Sequence, residues 1–254
     1  VNVDLSGMVI LVTGAASGIG AAVSRLASAS GAVLMLADRD AAGLAGVAGA
    51  IAGSGTVVAD LAGAEAPGAV IAATVSRFGR IDGLVNAAGL TDRASVLDGT
   101  VAMWDRMVAV NARAPFFLMQ GAIADMVRRR APGAVVNILS MHAHCGTPDL
   151  AIYAATKGAL LTLTKNAGNA HLADRVRVNG INLGWVVTPA EDRMQAVTLG
   201  QGPDWAARAG AAMPLGRLLE PGEVARLAVF LLSPASAPMT GVAIDLEQWV
   251  AGAP

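Results

Sequence analysis

The chain has one cysteine, few aromatic residues and little charge, and each shortage removes a class of protein. A lone thiol, Cys145, cannot form an intramolecular disulfide, so no disulfide framework holds the fold and a reducing, cytoplasmic setting is expected. Charged residues make up 15% of the 254 positions, with a net charge of −1 and the signs scattered. There is no basic block to neutralise a nucleic-acid backbone and no basic amphipathic face for anionic lipid. Asp4 precedes the first apolar run and no basic region lies ahead of it, which does not read as a signal peptide. Ala41 to Ala59 carries no charge, but it is mostly Ala and Gly and is broken by Ser54, Gly55 and Thr56. Its transfer free energy is too weak for a membrane span. The expected protein is soluble and its expected partner is a small molecule, together with further copies of itself.

What is present alternates. Short runs rich in β-branched residues are expected as strands at Met8–Val12, Val33–Ala37, Thr56–Val58, Gly83–Asn86, Ala134–Leu139, Arg177–Asn182 and Val242–Leu246. Between them lie helix-compatible segments: Ile19–Ala29, Ala41–Ile51, Glu65–Phe78, Trp104–Ala109, Phe116–Arg130, Ile152–His171 and Glu220–Leu232. Strands separated by helices imply right-handed crossovers and a doubly wound, Rossmann-type α/β fold, a parallel sheet with helices on both faces. No linker-like tract and no solenoid repeat divides residues 1–254, so a single domain is expected. Two long connections, Ser140–Ala151 and Thr188–Leu219, follow the C-terminal ends of strands, where open α/β sheets bind ligands.

Thr13-Gly14-Ala15-Ala16-Ser17-Gly18-Ile19-Gly20 stands between the first strand and the first helix. Glycines there allow a tight turn and close approach of a pyrophosphate, whose charge suits the free N–H groups of a helix start. A Gly-rich string is weak evidence alone, and its position gives it weight. Asp38 ends the second strand, where a carboxylate can accept hydrogen bonds from a ribose diol and repel a 2′-phosphate. That favours NAD. Arg39 beside it could instead greet the phosphate of NADP, and Asp38 could simply cap the next helix.

Tyr153 and Lys157 lie four apart on a helical segment and so share a face. Ser140 ends a strand, Asn111 lies in a helical region, and Asn86-Ala87-Ala88-Gly89 closes the fourth strand. With the glycine loop, Asp60 and Tyr153-Ala154-Ala155-Thr156-Lys157, the order and spacing of these motifs resemble the single-domain short-chain dehydrogenases/reductases over nearly the whole chain. The resemblance implies a hydride-transferring oxidoreductase that acts on a secondary alcohol, polyol or sugar, or on the corresponding ketone. Tyr153 would be the catalytic acid/base, helped by Lys157, which also holds the nicotinamide ribose. Ser140 would bind the substrate oxygen, and Asn111 would hold a water on a proton path. The cofactor set implied is Gly14, Ser17, Gly18, Ile19, Gly20, Asp38, Arg39, Asp60, Leu61, Asn86, Ala87, Ala88, Gly89, Tyr153, Lys157, Val187 and Thr188. Asp60 would meet the adenine and Thr188 the carboxamide. Family members are commonly dimers or tetramers, so a homo-oligomer, a homotetramer in the first instance, is implied.

Two departures from the family stand out: Leu183 where Pro is common, and Asp245-Leu246-Glu247-Gln248-Trp249 where many relatives have an Asp-Gly-Gly turn. His142 and His144 invite a metal reading, but no third ligand stands at suitable spacing, so no metal is expected. They are assigned instead to the substrate pocket, with Trp185 and Arg193. Residues 190–214 are expected to form a substrate lid. Two rivals remain open: an NADP-dependent ketone or ketoacyl reductase, and a non-catalytic dinucleotide-binding sensor or scaffold.

Overall fold

Seven short apolar runs become seven parallel strands, each within one residue of its expected limits. In the computed structural model, which describes residues 3–250, they are β1 (Val9–Thr13), β2 (Val33–Asp38), β3 (Gly55–Val58), β4 (Gly83–Asn86), β5 (Gly133–Ile138), β6 (Val176–Leu183) and β7 (Ala243–Leu246). Their order in the sheet is β3-β2-β1-β4-β5-β6-β7. Strand order reverses between β1 and β4, so the crossovers diverge there and leave a crevice at the strands' C-terminal ends.

Side chains alternate across each strand, which is why β1 feeds two cores. Ile10 and Val12 pack against α1 (Gly18–Ala29), α2 (Ala41–Gly49) and α9 (Pro221–Leu232). Leu11 points to the other face, against α3 (Ala66–Phe78), α5 (Ala114–Arg129) and α6 (Ala151–His171). Both faces are therefore covered, as a wholly parallel sheet requires.

The two helices expected at Trp104–Ala109 and Phe116–Arg130 prove to be one continuous column. It runs from α4 (Val101–Val108) through a single π turn, Ala109–Arg113, into α5. Pro115 supplies the reason. A proline inside a helix offers no N–H to the carbonyl four residues back, here that of Asn111, and the wider turn absorbs the mismatch. Among the described residues, this column, not Ala41–Ala59, is the helical stretch long and apolar enough to cross a membrane, and 56% of its 18-residue apolar window is buried in the fold.

The long Thr188–Leu219 connection is partly helical. It holds α7 (Pro189–Asp192), a π turn at Arg193–Thr198 and α8 (Trp205–Ala211). A bridge between Val186 and Leu219 closes its base.

Candidate active site

A cavity of about 940 Å³ lies across the C-terminal ends of the strands, with the glycine loop at one end and the 188–219 segment over the other. At the first end each contact has backbone as at least one partner. Thr13 sends its hydroxyl to the Val85 carbonyl and receives the N–H groups of Ala87 and Ala88. The segment after β4 is thereby drawn onto the loop after β1. Gly14, at φ +65°, lies so close that an added Cβ would stand 2.8 Å from the Ala88 nitrogen. At Gly20 a Cβ would fall 2.1 Å from the Gly14 carbonyl oxygen. Only glycine fits either place. Asp40, Thr100 and Thr188 cap α2, α4 and α7, whereas Ser17 makes no side-chain bond to the start of α1. The uncapped helix start opens on the cavity, an arrangement suited to a pyrophosphate.

Asp38 does not cap α2; Asp40 does that, through the Gly43 N–H. Asp38 receives the Ala16 N–H on one carboxylate oxygen and the Asp40 N–H on the other, which ties the glycine loop to the end of β2. Each oxygen retains acceptor capacity toward the cavity, as a ribose diol requires. Arg39, Asp60 and Leu61 line the same end, with Ser17, Gly18, Ile19, Ala87, Ala88 and Gly89. These residues fit a nicotinamide dinucleotide.

At the centre, Ser140, Tyr153 and Lys157 are all buried and share the cavity wall. Burial pushes the Tyr153 phenol up to about 12, against a hydrogen bond from Ser140 that lowers it; the charges of Glu191 and Arg93 act in opposite senses. Lys157 is brought down to about 8 by burial. Its ammonium donates to the Ile138 carbonyl at 2.7 Å and stands 5.7 Å from the Tyr153 ring centre. The protein by itself therefore holds Tyr153 protonated. Desolvation outweighs the lowering by Ser140 and Arg93.

Asn111 comes close to this group without lining the cavity. The π turn directs its amide to the backbone N–H and carbonyl of Leu90, and its nitrogen also donates to Thr156. An added Cβ on Gly89 would stand 3.6 Å from the Asn111 oxygen and 3.8 Å from Lys157 Nζ, so the two side chains flank that glycine.

Three more expected residues lie off the cavity wall. Asn86 is off the cavity wall: its side chain donates to Asn137, which donates in turn to Thr164. Val187 is also off it, its N–H held by the Leu219 carbonyl, while neighbouring Val186 lines the wall. His144 turns away from His142 and meets Asn182 and Asp245, because the short helical turn at Met141–Ala143 breaks the extended spacing that would align the two rings. Thr188 lies over Gly18, as a cofactor contact requires, and its hydroxyl also accepts the Glu191 N–H. Among the described residues, no three His, Cys, Asp or Glu side chains gather as a metal set.

His142, Trp185 and Arg193 line the other end of the cavity, where substrate is expected, joined by residues that sequence reasoning placed loosely or missed. Glu191 receives the Trp185 indole N–H at 3.0 Å and the Gln195 amide at 2.7 Å, with Arg93 at 3.4 Å. Trp205, within the 190–214 segment, is buried and donates to Asp192. Arg93 was not singled out by the sequence; the only signal was its place just after the fourth strand's Asn-Ala-Ala-Gly. Glu247 lines the cavity with its carboxylate against Gly184, so the two departures from the family pattern meet in space.

The comparisons with known proteins agree with this geometry. A family model described as Enoyl-(Acyl carrier protein) reductase matches residues 14–247. The chain is 35% identical over 248 residues to 2-(S)-hydroxypropyl-CoM dehydrogenase 3 of Xanthobacter autotrophicus, covering 96% of each. Its fold superposes on L-sorbose reductase from Gluconobacter frateurii, complexed with NADPH and L-sorbose, with a TM-score of 0.92, 28% identity and full coverage of both chains. A 3-ketoacyl-(acyl-carrier-protein) reductase from Brucella melitensis, complexed with NADH, gives 0.85 at 31% identity, with 96% of this chain and 98% of that one covered. With this sheet order, this cavity and a buried Ser140, Tyr153 and Lys157, the chain belongs to the short-chain dehydrogenase/reductase family, nicotinamide-dependent oxidoreductases acting on alcohols and ketones.

Proposed function

We propose that the enzyme uses NAD(H) and interconverts a secondary alcohol, in particular a polyol or sugar, with its ketone, with Tyr153 as the acid/base. The burial of Ser140, Tyr153 and Lys157 on one cavity wall, beside a glycine cradle that fits the dinucleotide, carries this reading. Bound there, the nicotinamide supplies or accepts the hydride. In oxidation, Tyr153 in its phenolate form takes the hydroxyl proton as the carbon–hydrogen bond gives up its hydride and the carbonyl forms. In reduction the protonated phenol returns that proton. Ser140 donates to the substrate oxygen as charge develops on it. The Lys157 cation favours the phenolate and holds the nicotinamide ribose, and Asn111 positions the Leu90 backbone and the π turn beside it.

Asp38 supports NAD over NADP, since a 2′-phosphate would meet a carboxylate already fixed by two backbone N–H groups. Arg39 on the same wall supports the reverse preference. A complete set of Ser140, Tyr153 and Lys157 weighs against a turnover-free scaffold. A single domain with residues 190–214 as its lid, a homotetrameric assembly and a cytoplasmic setting complete the proposal.

The test is nicotinamide absorbance over polyols, sugars and simple secondary alcohols, with NAD and NADP side by side and Tyr153→Phe as control. NAD-linked turnover that disappears in the control is the expected result. A higher kcat/KM with NADP overturns the cofactor assignment. Tight NADH binding without turnover on any substrate favours the scaffold.

A further inference from the structure

The substrate end holds a carboxylate only half used. All three hydrogen bonds that Glu191 accepts through its side chain, from Trp185, Gln195 and Arg93, converge on Oε1. Its Oε2 has no hydrogen-bond partner among the described residues, yet it is not among their buried unpartnered atoms, so it is accessible. Glu191 lines the same cavity as Tyr153, and its negative charge acts on that phenol. An ionised carboxylate only accepts hydrogen bonds, so whatever meets Oε2 must bring an O–H or N–H. The neighbouring Arg93 guanidinium disfavours a cationic ammonium and leaves a neutral hydroxyl as the matching group. Trp185 adds an apolar face, fixed by Trp205 with ring centres 5.7 Å apart, for the C–H surface of a hydroxylated substrate.

We propose that Glu191 determines specificity: its free oxygen accepts a hydrogen bond from a second substrate hydroxyl, so the enzyme selects diols and polyhydroxy compounds over alcohols with one hydroxyl. This rests on the hydride-transfer reading above and names the feature that the substrate must carry beyond the reacting group.

The experiment compares pairs that differ by one hydroxyl, butan-2-ol with butane-2,3-diol and cyclohexanol with cyclohexane-1,2-diol, in wild type and Glu191→Gln. The glutamine keeps an acceptor for the three donors at Oε1 and turns Oε2 into a donor. Indole fluorescence and NADH binding report whether the lid and fold persist. Wild type should favour the diol in kcat/KM, and that preference should fall by about tenfold to a hundredfold in the variant, the range for one hydrogen bond to a charged group. Turnover of both members without preference for the diol in wild type overturns the inference while sparing the hydride-transfer reading. So does a preference that survives in Glu191→Gln. No turnover of either series while NADH still binds overturns the reading beneath it, and the inference with it. The wild-type ratio alone can decide against the proposal, so a variant that fails to fold does not protect it.

Discussion

The two ends of the cavity are built from different kinds of bond. At the cofactor end, backbone is a partner in every contact: Gly14 against Ala88, Gly20 against the Gly14 carbonyl, and the Ala16 N–H onto the Asp38 carboxylate. At the substrate end, side chains hold side chains: Trp185 and Gln195 on Glu191, and Trp205 on Asp192. Backbone contacts leave no room for a different side chain, whereas side-chain contacts can be exchanged singly. The first end therefore fixes one cofactor geometry, and the second can diverge to suit a substrate.

Tyr153 stands between these ends, and its removal should have the largest effect. Tyr153→Phe is expected to lower turnover about 10²- to 10⁴-fold while NADH binding, read by fluorescence titration, persists. Loss of both would mean that the ends are not separable.

Gly20→Ala strikes the cofactor end directly, because its Cβ would stand 2.1 Å from the Gly14 oxygen. We expect a cost of about 1–3 kcal/mol, a melting point lower by several degrees, and loss of NADH binding. Gly46→Ala is the contrast. It lies in α2 with open space around it, and should stabilise the chain by about 0.4–1 kcal/mol.

Asp38→Asn should cut the preference for NAD over NADP by about tenfold, measured as the ratio of kcat/KM values, because it removes the charge that opposes a 2′-phosphate. An unchanged ratio would transfer the choice of cofactor to other residues.

The pH dependence follows from the centre. Tyr153 is held up to about 12 and Lys157 down to about 8, each toward its neutral form. With Tyr153 as the proposed acid/base, oxidation needs the phenolate and should accelerate as pH rises. Reduction needs the protonated phenol, which neutral pH already provides. Lys157→Met removes a cation that favours the phenolate, and should move the oxidation limb to higher pH by about one unit. A profile that stays in place would leave Lys157 as a ribose anchor alone. The smallest effect is expected in the 190–214 segment proposed as the lid: Trp205→Phe loses the bond to Asp192 and should raise KM a few-fold with little change in kcat.

Much of the framework was legible along the chain because it rests on local pattern. Apolar runs bounded by glycine located all seven strands, and the four-residue spacing of Tyr153 and Lys157 put both on the buried side of α6. Asp38, at the end of β2, lines the cofactor end where its position predicted. Long-range relations were not legible. Arg93 reaches the site only because the segment after β4 passes under α7, and nothing in its neighbours announces the pairing with Glu191. His142 and His144 read as a pair until the helical turn between them sent one to the cavity and the other toward Asp245.

The sequence by itself determined the succession of strands and helices, the glycine cradle and the side chains proposed to react, since hydrophobic periodicity, backbone freedom and helical spacing act between residues a few positions apart. Only the tertiary structure decided which groups are dry and which polar atoms remain free. Desolvation keeps Tyr153 protonated, the π turn aims Asn111 at Leu90, and three donors from separate parts of the chain occupy one oxygen of Glu191 while leaving the other open. Burial and hydrogen-bond satisfaction depend on neighbours that are distant in sequence, and those neighbours are chosen when the sheet closes its cores.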